Sequence, residues 1–569
     1  MEAGKRTIND IFNGNRILEI PFFQRSYVWG EEQWERLLTD MVEVSKTNKP
    51  YFLGSVILKQ QITDTKRSVG DVRTVVDGQQ RLTTLNIFFK TLCLKLKQNS
   101  LFERVFKLIN NDIALLHNHN DIGAFNEILG LSSPVETQGK DNISQAYNYF
   151  LNNIEPNLLN IQNILTNIMF VGIDLGVDED EQQIFDTINS LGMRLTTAEL
   201  LKNYLFSRDD LHSYTENWKK IFELSHEQKE FWDMEITAGR IKRNNIDLFF
   251  YSFLQIKIQD KKLKVKSDDK NSFSKVEGLF DSYKRFITDY KIDKNEIILE
   301  IKEYATIYQK FIDFDVIDRA LTNKNGIDRI NAIIFGLENT TLIPYVLFVL
   351  KNAHNLSEIN NICGYLESYI MRRMICRTTN KNYNQLFSER LISNNILTKE
   401  KLKEYINSLS DKINYMPADP DLRHGFHNSK LINKQTAGII YFIESKIRNT
   451  NIHSTALLGL NRYSLEHLMP KKWLNNWEPT STEEEKIIRN RKLLTLGNLA
   501  IITSSLNTSI RDSSWVVKKV GKKDKKGLTH YSAGIDTLGE FLPLKIWDED
   551  SIEERANFLY EKASSIWLA

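Results

Sequence analysis

Cysteine is nearly absent from this chain, with 3 in 569 residues. Cys93, Cys363 and Cys376 lie far apart and show neither a Cys-x-x-Cys pair nor Cys/His ligand spacing. That excludes a disulfide framework and a structural zinc module, and it fits a reducing compartment. Net charge is equally scarce: 75 Lys and Arg stand against 73 Asp and Glu, a balance of +2. No whole-chain field advertises a nucleic-acid or membrane partner, so any such surface has to be local. Long apolar runs are missing as well. The opening MEAGKRTINDIFNG has no apolar centre, and the longest stretches, TLIPYVLFVL and NIMFVGIDLG, are too short to span a bilayer. Neither a secretory signal nor a membrane helix is expected, and the cytoplasm is the expected location. No Gly-x-x-x-x-Gly-Lys-Ser/Thr loop occurs, which excludes a Walker-type ATPase.

What is present is an ordinary globular mixture, 41% hydrophobic and 26% charged. The length exceeds what one hydrophobic core organises, so several domains are expected. IPFFQRSYVW and YFLGSVILK read as strands around a helical GEEQWERLLTDMVEV, and RTVVDG as a third strand stopped by Asp-Gly. Leu82, Leu85, Phe88, Phe89, Leu92 and Leu96 recur at three and four, so a helix follows directly from Gln79. Residues 97–165 read as helical with Asn-rich breaks, and IMFVGIDL as a buried strand. The next segment reads as helix, a turn at Gly192, and a second helix capped by Thr196 or Thr197. From 210 to 445 helical periodicity dominates, with no strand-rich unit. After 446 come the segment RYSLEHLMPKKW, an acidic helix STEEEKIIRNRKLL, a strand-like LGNLAIITSSLN, a lysine-rich loop KKVGKKDKKG and a closing helix SIEERANFLYEKASSIW. The expected fold class is α+β, mostly helical, with domains at 1–210, 211–445 and 446–569.

Two stretches carry chemistry. In VVDGQQRLTTL a strand ends at Asp77-Gly78 and a helix begins with Gln79, Gln80 and Arg81. A helix N-terminus presents backbone N–H groups and partial positive charge, a setting for an anion, and a guanidinium in its first turn adds a fork suited to phosphate. The plainer reading is a turn followed by a solvated first helical turn. The second stretch pairs YSLEHLMPKKW with LGNLAIITSSLN. A small one-metal nuclease needs a base, a divalent cation and a group that orients the base. His467 supplies a base that is neutral near pH 7, Glu466 a hard oxygen ligand, Asn507 a second ligand, and Asn498 a partner that fixes the ring of His467. The plainer reading is a surface Glu-His pair and a turn asparagine.

Four blocks in order, IPFFQRSYVW, YFLGSVIL, DGQQRLTTL and INSLGMRLTTAELLKN, resemble the N-terminal domain of the GmrSD-type modification-dependent restriction proteins, a group that includes SspE and BrxU. The later run Glu-His-x-x-Pro, Leu-Gly-Asn-Leu, Asn507 and Ser-Trp-x-x-Lys-Lys is similar to the HNH-like C-terminal domain of the same group. The resemblance implies a ParB-like α/β domain that binds and hydrolyses a nucleoside triphosphate, a central helical domain, and a ββα-metal nuclease domain using Mg²⁺ or Mn²⁺. Carried onto this sequence, the nucleotide site is Gln24, Arg25, Asp77, Gly78, Gln79, Gln80 and Arg81, with Asn189, Arg194 and Lys202 as helpers. Tyr27 and Trp29 read as core aromatics. GTP, ATP, CTP and UTP are not distinguished. Lys471, Lys472, Lys518 and Lys519 are expected to grip DNA phosphates, and His424 with His427 is a weaker metal alternative. Arg372-Arg373, on a helix joining the domains, is a place where nucleotide state would reach the nuclease.

The resulting expectation is a type IV restriction, anti-phage endonuclease acting on modified double-stranded phage DNA, with no membrane partner and with a homodimer left open. Two alternatives stand beside it: a nucleotide-dependent DNA-binding regulator whose nuclease domain is inactive, and a toxin or inhibitor module whose target is not DNA.

Overall fold

The structure, a computed structural model, describes residues 2–13, 15–21, 24, 26–61, 71–177, 197–239, 241–275, 278–322, 326–409, 413–448, 456–522, 525–531 and 535–569. The chain divides into two compact units, Met1–Thr215 and Glu216–Ala569. The described residues are mostly helical, with one mixed sheet and three small ribbons among them. Among the described residues no helix is long and apolar enough to cross a membrane.

The first unit is built on a six-stranded sheet: β1 (Glu2–Thr7), β2 (Arg16–Glu19), β3 (Tyr51–Gln60), β4 (Asp71–Asp77), β5 (Leu115–Leu116) and β6 (Ile168–Leu175). Their order across the sheet is β1-β6-β3-β4-β2-β5. β3 lies parallel to β6 and antiparallel to β4, and its register against β6 slips between Phe52 and Gly54, the bulge that the Gly54-Ser55 pair in the sequence points to. IPFFQRSYVW departs from expectation. Its described residues form no strand, because the N–H of Tyr27 donates to Asp121 (2.7 Å) and those of Val28 and Trp29 to Gln80 (2.9 and 3.3 Å). Backbone donors engaged by side chains are lost to a ladder.

β4 ends at Asp77 and the Gln79–Lys95 helix starts two residues later. The sequence pattern predicts one apolar face; in the fold this helix is buried from Gln79 to Leu94 except at Arg81. Its buried polar side chains satisfy themselves locally. Thr83, Thr84, Asn86 and Thr91 donate to the carbonyls of Gln79, Gln80, Leu82 and Ile87 at 2.7–2.8 Å.

The second unit is helical, with a short hairpin of β7 (Glu235–Ala238) and β8 (Ile241–Asn244). Four-residue strands are too short to leave a period-two signal, so the sequence gives no warning of them. Near its end, β9 (Tyr463–His467) pairs antiparallel with β10 (Leu499–Thr503), and the Ser504–Ile510 helix follows directly. The Leu356–Ile375 helix carries Arg372 and Arg373, each 1% exposed. Arg372 donates to the carbonyls of Trp567 (2.6 Å) and Pro417 (2.9 Å) and pairs with Asp419. Arg373 donates to the carbonyls of Thr379, Ile413 and Tyr415 and to the Tyr383 hydroxyl. Arg372 thereby fastens Trp567 to this helix, and Arg373 fastens Thr379, Ile413 and Tyr415.

Candidate functional site

The turn after β4 has the geometry its sequence implies. Gly78 takes φ +99° as the residue preceding the helix, a conformation that favours glycine. The first ladder bond runs from the Leu82 N–H to the Gly78 carbonyl (2.9 Å), so the N–H groups of Gln79, Gln80 and Arg81 precede the helix's own ladder. Asp77 accepts from the Ser55 hydroxyl (2.8 Å), and the Arg81 guanidinium donates to the Ser55 carbonyl (3.0 Å) and lies 3.6 Å from Asp77. Gly54 makes room for it: a Cβ there would lie 2.7 Å from Arg81 Nε.

Gln80 faces away from the turn. Gln80 is buried, and its side-chain oxygen holds the backbone of Val28 and Trp29 while its amide donates to the Ser26 carbonyl (3.3 Å). Gln79 is also buried. Gln24, 6% exposed, accepts from Asn203 (3.5 Å) on the Thr197–Leu205 helix, which also carries the buried Lys202. Parts of all four sequence blocks therefore meet at one end of β3 and β4. Arg25, Asn189 and Arg194, as well as the Gly192 turn and Thr196, lie outside the described residues.

Behind the turn Tyr27 is the core aromatic expected of it, while Thr83 and His117 carried no sequence signal. Tyr27, 4% exposed, shares a 2.7 Å hydrogen bond with Thr84 and receives one from the Trp34 indole (2.8 Å). Thr83 spends its hydroxyl proton on Gln79, so it accepts from His117 Nε2 (2.9 Å), and the Asn118 N–H donates to His117 Nδ1 (3.1 Å). Both bonds fix a neutral imidazole, and burial pushes its pKa down to about 3.

In the second unit, His467 ends β9 opposite Leu499. Its imidazole is half-buried and makes no side-chain hydrogen bond among the described residues. Burial, then the charges of Lys471 and Lys518, push its pKa down to about 4, so it is neutral at pH 7. Glu466 points into a different setting. It is 4% exposed and ion-paired with Lys518, which also donates to the His467 carbonyl (2.7 Å). Burial raises the Glu466 carboxyl and lowers the Lys518 ammonium, each offset by the other's charge. Asn507, on the Ser504–Ile510 helix, donates to Ser464 Oγ and the Leu465 carbonyl (both 3.0 Å), and its own oxygen accepts nothing among the described residues.

Asn498 is fully buried and clamps the segment after His467. Its oxygen accepts from the Met469 N–H (2.8 Å) and the Trp547 indole (3.0 Å); its amide donates to the Met469 (2.8 Å) and Leu493 (3.0 Å) carbonyls. It orients the backbone beyond His467 and not, as expected, the imidazole ring. Among the described residues no group of three or more His, Cys, Asp or Glu side chains is arranged to hold a metal. With Glu466 neutralised by Lys518, that carboxylate does not fit the role of cation ligand in this arrangement.

Comparison with known families decides what these two constellations belong to. The N-terminal domain of GmrSD restriction endonucleases matches residues 8–206, and their C-terminal domain matches residues 416–562. The chain belongs to the GmrSD family. The N-terminal match spans the Asp77–Arg81 turn and the C-terminal match spans Glu466, His467, Asn498 and Asn507. A GmrSD restriction endonuclease takes DNA as its partner. The uncharacterized protein MJ0686 of Methanocaldococcus jannaschii is 21% identical over 578 aligned positions, covering 94% of this chain and 90% of the relative.

In this GmrSD chain the expected DNA-gripping lysines separate. Lys471 and Lys472 are exposed beside His467. Lys518 is 0% exposed and reaches no outside partner. Lys519 donates to the Leu544 carbonyl (2.5 Å) and sits 5.4 Å over the Trp515 ring. His427 is also committed, lying 2.6 Å from Glu553 and 3.1 Å from Asn557 on the closing helix. No local pattern points to Arg555, which is fully buried and donates to the carbonyls of Leu496, Gly497, Leu499 and Thr537 at 2.8–3.3 Å, holding the turn that carries Asn498. Burial lowers its pKa to about 9.

Proposed function

We propose that the second unit cuts DNA with His467 as general base, and that the turn Asp77–Arg81 binds a nucleoside triphosphate whose binding and hydrolysis govern that cut. One observation carries the nuclease half: His467 has a neutral imidazole with no side-chain partner among the described residues, while Glu466, Asn498 and Lys518 around it are all engaged. In this reading the imidazole takes the proton of a water as its oxygen bonds to phosphorus and the ester oxygen leaves. A phosphate nearby opposes the effect of Lys471 and Lys518 and brings the base closer to its working range. Lys471 and Lys472 hold the DNA backbone, Asn498 fixes the chain after His467, and Lys518 anchors the His467 carbonyl. Mg²⁺ or Mn²⁺ belongs to the proposal through the resemblance alone, with the HNH-type assignment; loss of cutting in EDTA is its test.

The nucleotide half rests on Ser55, Asp77 and Arg81 meeting at one helix N-terminus, with the buried Gln80 behind it. Arg81 is the partly exposed residue of an otherwise buried stretch, its fork within reach of an anion. Arg81→Ala is expected to weaken binding of fluorescent ATP, GTP, CTP or UTP analogues by about tenfold or more, the scale of a lost charge-assisted pair. His467→Ala is expected to abolish cutting and leave nucleotide binding intact. Loss of both activities in either single variant would contradict this division of labour. The modified target is assigned by a panel of plain, glucosylated, methylated and phosphorothioated DNAs, with and without each nucleotide.

One observation favours a second reading. The neutralised Glu466 fits a nucleotide-dependent DNA-binding regulator in which this site no longer cuts. Cleavage that His467→Ala leaves unchanged, or no cleavage in any lane alongside tight binding, supports that reading.

A further inference from the structure

A cavity of about 460 Å³ opens beside β9. Three consecutive strand residues, Tyr463, Ser464 and Leu465, line it, so the strand presents its edge to the space, and β9 pairs only with β10 among the described residues. Facing them are the apolar side chains of Ile317 and Phe335, with Asn433 at the mouth. Ser464 lies three residues before His467, about 10 Å along a strand at roughly 3.3 Å per residue. One DNA strand advances about 3.4 Å per nucleotide, so the cavity stands within a few nucleotides of a phosphate held at His467.

We propose that this cavity receives a nucleobase swung out of the DNA, a site that rests on the nuclease reading above. Its volume falls within the roughly 300–1,000 Å³ of small-molecule sites and exceeds what a bare base needs. Its chemistry is that of a base pocket: Phe335 offers an aromatic wall for the ring face, and the Asn433 amide together with the Tyr463–Leu465 strand, whose Leu465 carbonyl already accepts from Asn507, offers the hydrogen-bonding rim. Arg462, exposed on the turn that leads into β9, puts a cation beside the entrance, whereas Lys434 at the mouth is paired with Glu338 (2.6 Å) and the lining Asn461 is bonded to Asp318. A free nucleotide would find the same ring and rim contacts, so the test separates the two sources.

Full-length protein carrying His467→Ala is mixed with duplexes in which a single 2-aminopurine, mispaired with cytosine to lower the cost of extrusion, is stepped along the sequence. The expected result is a several-fold fluorescence rise confined to one position. It should be lost when Ala437→Phe fills the cavity from the Asn433–Ile447 helix, and reduced by Asn433→Leu, a change at an exposed position that leaves the core alone. Duplex binding, read by anisotropy, is retained in both variants. Bound duplex with no rise at any position, a rise that both variants leave intact, or a rise that excess ATP abolishes even in protein also carrying Arg81→Ala would each overturn the assignment while leaving the nuclease reading in place. A protein that neither binds nor cuts any duplex fails the nuclease reading first and this one with it.

Discussion

Lys518 and Glu466 show what a single pair does in this molecule. Both are buried, and each offsets the desolvation of the other, so removing one partner strands a charge. Lys518→Ala is expected to cost about 3–5 kcal/mol by urea denaturation, whereas Lys518→Met combined with Glu466→Leu recovers most of it. A single-variant loss below about 1 kcal/mol would mean that the pair is solvated and the burial argument wrong. His117 gives a pH dependence of definite sign. Unfolded, it takes a proton near pH 6.5, about the ordinary value for histidine; folded, it resists protonation down to about 3. Between those values the unfolded state binds more protons, so this contribution is fully present above about pH 6.5 and is lost progressively as pH falls. His467 acts with the same sign in the other unit, so the informative comparison is His117→Gln against the parent. The variant should show a flatter decline in stability between roughly pH 6 and 4, and identical slopes would contradict the buried neutral imidazole.

At the scale of elements, the strand-turn-helix at Asp77–Arg81 was legible because a short branched run, Val75-Val76, is stopped by Asp-Gly and three-and-four spacing starts at Leu82. The burial of the whole Gln79–Lys95 helix was not legible, since its threonines and asparagine look solvent-facing until their local back-bonding is seen. IPFFQRSYVW misled for the opposite reason. Its aromatic content reads as a strand, yet its donors are taken by Gln80 and Asp121, partners distant in sequence. Near His467 the order of the short motifs was readable, but not their geometry. Nothing local in Leu-Gly-Asn-Leu reveals that Asn498 grips Met469 and Trp547, or that Lys518 folds inward. Asn498→Ala leaves the Met469 N–H and the Trp547 indole without their partner, at about 1–3 kcal/mol. It should also lower kcat for DNA cutting more than it raises KM, because the segment following His467 loses its anchor. Unchanged kcat in a folded Asn498→Ala protein would remove the positioning role.

Across the whole molecule, the second unit is closed by its own last residues. Trp567 is 1% exposed; its indole donates to Glu367 (2.9 Å), which is held by Arg329, and its carbonyl accepts from Arg372 (2.6 Å). Trp567→Ala is expected to cost about 3–5 kcal/mol and to lower the Tm of this unit, since it opens a cavity and unseats a buried network together. Arg372 is thereby part of the buried network that holds Trp567. Cleavage of the DNA panel, with and without nucleotide, by the full-length protein and by His467→Ala measures the role of this imidazole. At least one DNA should be cut by the parent and none by the variant, whose nucleotide binding stays unchanged; a variant that cuts as fast as the parent would rule out His467 as the base.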